Sequence, residues 1–111
     1  MGSSDAPGSE VELAQAIATA VRAVPGVADL SPGRFVEVAT YGARDRVRGV
    51  MVRQTAESLD VEVHVCAQYA AALVLTELAA LVRESIRQSV RASGAGTVSQ
   101  TDVVFDDVRV E

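Results

Sequence analysis

The chain has 111 residues, 49% hydrophobic and 23% charged, a composition that excludes a disordered or membrane-embedded chain and argues for one domain. Its formal charge of -5, from 10 basic and 15 acidic residues, argues against a dedicated duplex-DNA binder, which needs a basic face to displace phosphate counterions. Cys66 is the single cysteine, so no intrachain disulfide forms and a reducing compartment fits best.

Met1 to Gly8 is rich in Gly, Ser, Asp and Pro. It predicts a disordered lead-in over 1–8, with one domain over 9–111. Met1 to Glu10 has neither the basic start nor the apolar run of a secretory signal. Ser9 and Glu12 have capping-box spacing, so the first helix is expected to start at Ser9. Leu13, Ala14, Ile17, Ala18, Val21 and Val24 form its apolar stripe, and Pro25-Gly26 ends it.

Val27 to Leu30 is a short apolar segment. Phe35 to Tyr41 is rich in β-branched and aromatic residues and predicts a strand, with a short helix as the alternative. Val47 to Arg53 predicts another strand. Leu59 to Cys66 is the clearest: Leu59, Val61, Val63 and Val65 alternate with Asp60, Glu62, His64 and Cys66, giving one core face and one solvated face. From Ala70 to Ala92 the period is helical. Leu75, Leu78, Ala79, Val82, Ile86 and Val90 form the stripe expected to be buried, and Ser93-Gly94-Ala95-Gly96 stops the helix. Val98 to Val110 is a closing strand with Val103 and Phe105 on one face. The expected fold is α+β: two layers, two helices packed on one face of a small, mainly antiparallel sheet, in the order α-β-β-β-α-β.

The chemistry-bearing residues are few. His64 and Cys66 share a strand face, but zinc wants three or four N or S ligands and the chain has one His and one Cys. Any Ser-His or Cys-His pair must use His64, and no nucleophile elbow is present. Asp60 with Glu62, and Asp106 with Asp107, need be no more than surface charge. Gly94-Ala95-Gly96 follows a helix instead of opening one, so it is no phosphate loop. No catalytic, cofactor or metal site is expected. Arg44, Arg46 and Arg48 form a candidate loop for touching phosphates or anionic lipid, against the plainer reading of a solvated loop. Leu73, Val74 and Leu81 fall outside the stripe of the long helix. They are either buried by their own domain or an exposed surface for self-association or a partner.

Several segments occur in the order of a known family. Val24-Pro25-Gly26-Val27-Ala28-Asp29-Leu30 resembles its helix-to-strand junction, and Arg46-Val47-Arg48-Gly49-Val50 its basic step into a strand. Leu59 to Val65 followed by Tyr69 resembles its alternating strand ending in tyrosine, Glu77-Leu78-Ala79 the opening of its amphipathic helix, and Asp102 to Val108 its closing strand. The chain thus resembles the bacterial alkaline shock protein family, also called the envelope stress response family. It departs from the pattern after Tyr69, where Ala70-Ala71-Ala72 stands in place of the usual glycine. The resemblance implies a non-enzymatic cytoplasmic interaction or scaffold protein that supports the cell envelope under stress. It also implies self-assembly and a protein partner, a small membrane protein, holding it at the inner face of the membrane; the small apolar group Leu73, Val74 and Leu81 predicts that the homo-oligomer is weak. No nucleic acid and no small-molecule substrate are expected. The alternative is a small nucleic-acid-binding domain using the Arg44 to Arg48 loop, and a third reading is a small enzyme centred on His64.

Overall fold

The computed structural model describes residues 7–33, 37–42, 45–70 and 74–110. Residues 1–6 of the expected 1–8 lead-in, together with Phe35, Arg44, Leu73 and Glu111, lie outside these residues, and its last two, Pro7 and Gly8, are in a helix. Helix α1 runs Pro7–Arg22, starting two residues before the Ser9 cap that the capping box predicts. Proline suits a first helical turn, where its missing N–H has no intrahelical partner to lose. Val11, Leu13, Ala14, Ile17, Ala18 and Val21 are buried, as the helical spacing requires. Gly26, at φ 101, turns the chain into β1, Val27–Leu30.

The centre of the fold is β5, Leu59–Gln68. Its alternation sends Leu59, Val61, Val63, Val65 and Ala67 into the core. β1 and β4 (Val50–Gln54) pair antiparallel with one edge of β5. β4 lies beside residues 59–63 and β1 beside 65–67. At the seam His64 N–H donates to Gly49 O, and Ser31 N–H donates to His64 O. The other edge of β5 carries β6, Gln100–Arg109, in parallel. Parallel neighbours need a long crossover, and α2, Leu75–Ser93, provides it.

The Val47 to Arg53 strand is broken at Gly49 into β3 (Arg46–Arg48) and β4. Gly49 has φ 85, a conformation that side chains other than glycine's resist. β3 pairs with β2, Ala39–Tyr41, as a separate antiparallel ribbon. The buried Thr40 joins ribbon to sheet: its hydroxyl donates to Val50 O at 2.7 Å and accepts from Val52 N–H at 3.0 Å.

The helices pack together over the inner face, where Ile17 and Val21 meet Val82, Ile86 and Val90 in one hydrophobic cluster. The two-layer α+β architecture and its element order therefore stand, with β1 added and a parallel pair at β5–β6. α2 begins at Leu75, later than the Ala70 expected, because Val74 holds an extended N-cap conformation at φ -124 and ψ 111. Gly94 closes it in the left-handed region at φ 78, donating to Val90 O and Arg91 O. Leu75 departs from the expected stripe. It stands in the first turn of α2 and is 38% exposed, while Leu78 and Val82 further along the same stripe are buried.

Candidate functional site

The outer face of the sheet carries Asp60, Glu62, His64 and Cys66, which alternate against the core set of β5. The sequence predicts a solvated face here, yet Cys66 is buried and the His64 side chain is only 12% exposed. The cause is an irregularity in β6. His64 pairs with Val104 and Val65 with Phe105, but Cys66 pairs with Asp107, which leaves Asp106 as an extra residue. Such a bulge re-aims a side chain. Here the Asp106 carboxylate comes to lie over β5 with its side chain 8% exposed.

Two strands, β5 and β6, and Ser31 just after β1 supply the resulting cluster. Asp106 Oδ2 lies 2.9 Å from His64 Nδ1. It also accepts the Ser31 hydroxyl at 2.8 Å, and Ser31 Oγ in turn accepts Gly33 N–H at 3.3 Å. On the other side of the ring, His64 Nε2 lies 2.6 Å from Glu62 Oε2. Burial opposes charge on His64, but the hydrogen bonds to Glu62 and Asp106, and the charges of both, outweigh it and hold the ring above its ordinary value of 6.5. Asp106 and Glu62, read from sequence as surface charge, are thus tied to His64.

This geometry limits the chemistry available. A nucleophilic serine needs its proton facing a base that can take it. Ser31 instead donates to Asp106, and both nitrogens of His64 face carboxylates. Neither Ser31 nor Cys66 is arranged as an activated nucleophile on His64.

The basic candidates sit on the β2–β3 ribbon. Arg46 and Arg48 flank Glu37, with nitrogen-to-oxygen distances of 3.3 and 3.2 Å. Tyr41 donates its O–H to Glu37 Oε1 at 2.6 Å. That hydrogen bond, helped by the charges of Arg46 and Arg48, holds the Glu37 carboxyl below its ordinary value, and the same bond raises Tyr41. Arg46 and Arg48 are therefore brought together, but around an acidic side chain that the sequence reading passed over. Arg44 lies outside the described residues.

The apolar candidates divide in the same way. Val74 is 44% and Leu81 54% exposed, while Leu73 lies outside the described residues. Leu81 lies off the buried stripe of α2, and Val74 is the extended residue immediately before the helix. Leu75, on the stripe side of the first turn of α2, is exposed as well. Among the described residues no helix is long and apolar enough to cross a membrane.

The chain matches the family model of the alkaline shock protein 23 family, cell envelope-related function, over residues 9–110. Neither a curated protein nor a solved structure matches it.

Proposed function

We propose, from the premise that this chain belongs to the alkaline shock protein 23 family, that it is a non-catalytic interaction domain which associates with further copies of itself at the start of α2. A cell envelope-related function is the family's own description. The observation that carries the finer reading is the exposure of Val74, Leu75 and Leu81 where α2 begins. Large apolar side chains exposed in and just before the first two turns of a helix gain from leaving water, at roughly 25 cal/mol per Å² buried. So small a group yields weak association once the entropy of joining two molecules is counted.

The non-catalytic part of the reading is supported by the outer-face cluster, where each polar group is already engaged with a neighbour. The reading includes a cytoplasmic location, consistent with the free thiol of Cys66, and a membrane-protein partner that brings the assembly to the envelope. The test is a strain carrying Leu81→Glu in place of the native protein, compared with a deletion strain under envelope stress. The reading predicts that both lose stress tolerance while the variant protein persists at its normal level. Normal tolerance in the variant strain contradicts the proposed surface, and normal tolerance in the deletion strain contradicts the envelope role.

A further inference from the structure

His64 is the single histidine of the chain, and its two ring nitrogens face different carboxylates, Glu62 at 2.6 Å and Asp106 at 2.9 Å. A neutral imidazole has one N–H and one lone pair. It satisfies one of these contacts and opposes the other, whereas the imidazolium donates to both. We propose that Ser31, Glu62, His64 and Asp106 form a protonation-dependent clamp on the outer face of the sheet, closed while His64 is an imidazolium and opened on its Glu62 side when that proton leaves to solvent.

The surroundings decide which side opens. Asp106 is 8% exposed and is fixed by the Ser31 hydroxyl, so it retains the hydrogen bond from Nδ1–H in the neutral ring. Glu62 is 36% exposed, and water replaces the ring as its partner at little cost. The other charged and titratable groups on this face are mostly acidic. β6 contributes Asp102, paired with Glu62, and Asp107, paired with Cys66 of β5. On β1, Asp29 is turned to Leu30 N–H and Arg22. On β4, Met51 stands beside Glu62 and Arg53 beside Asp60.

Opening the clamp changes the surface as well as the hydrogen bonds. Glu62 lines a shallow depression with Asp60, Asp102 and Arg53. The closed cluster of one imidazolium and two carboxylates carries one net negative charge, and the open cluster carries two. Rising pH therefore adds a freed carboxylate to a depression that already holds Asp60 and Asp102. The stability contribution follows the same sign. The folded-state value of His64 lies above its ordinary 6.5, so the contribution is fully present below 6.5 and is lost as pH rises through the folded-state value.

With one histidine, nitrogen NMR of the imidazole reads the clamp directly. The expected results are two protonated ring nitrogens at about pH 6, a titration midpoint above 6.5, and Nδ1–H in the neutral form. Glu62→Gln and Asp106→Asn are each expected to lower the midpoint. The melting temperature of the wild type should fall across the same pH window, and His64→Gln should lack that part of the dependence. A midpoint at or below 6.5, or one that Glu62→Gln leaves in place, overturns the proposal. Because Glu62 is partly exposed, that variant keeps the fold and so keeps the test decisive.

Discussion

Asp106 has no partner in the β5–β6 ladder, and its carboxylate lies 2.9 Å from His64 Nδ1 on the neighbouring strand. One extra residue in β6 therefore converts an aspartate that alternation would place at the surface into a link between β6, the centre of β5 and Ser31 beyond β1. Asp106→Ala removes the acceptor shared by Ser31 and His64. Leaving a nearly buried donor unpaired costs about 1–3 kcal/mol. Urea unfolding near neutral pH should show a lower midpoint for the variant, and an unchanged midpoint would contradict the link.

Val63 is fully buried at the middle of β5, between Val50 of β4 and Val103 of β6. Val63→Asp puts an unpaired carboxylate into the core, at a cost of several kcal/mol against a total stability of about 5–15. Circular dichroism should show an unfolded or strongly destabilised variant. A melting temperature equal to that of the wild type would mean that the register of β5 is wrong.

Gly49 makes the break between β3 and β4, and its backbone packs against the end of β1. A Cβ there would meet both Leu30 Cβ and Ser31 O at 2.9 Å, with φ at 85. Gly94 has a similar φ of 78 but nothing within 4 Å. Gly94→Ala should thus cost about 1 kcal/mol, from backbone conformation alone. Gly49→Ala should cost more, because it adds a clash at the β1–β5–β4 seam. Equal losses for the two variants in thermal unfolding would contradict the close approach at Gly49.

How much of this was legible in the sequence depends on how local each cause is. The two-residue period of Leu59 to Cys66 and the helical period of Leu78 to Val90 are local, and both elements stand where those periods put them. The core side chains Ile17, Val63 and Ile86 follow directly. The outer-face cluster was not legible. Ser31, His64 and Asp106 are far apart in sequence and meet only because β1 and β4 share one edge of β5 and a bulge displaces Asp106. The sole local trace of that bulge is the Asp106-Asp107 pair, which interrupts the alternation begun by Val103 and Phe105. The Arg46 and Arg48 pairing with Glu37 was hidden for a similar reason, since it depends on the ribbon between β2 and β3. Leu75 shows the converse failure. Its spacing is that of a buried residue, but periodicity does not reveal how far along a helix the burial extends.

Self-association at the start of α2 is the central claim, and sedimentation equilibrium of the wild type beside Leu81→Glu tests it most directly. Leu81 is 54% exposed, so the substitution leaves the core intact and the two proteins should melt at the same temperature. The account predicts a wild-type mass that rises reversibly with concentration and a variant that stays monomeric over the same range. A wild type that is strictly monomeric at high concentration, or a variant that associates as the wild type does, would contradict it.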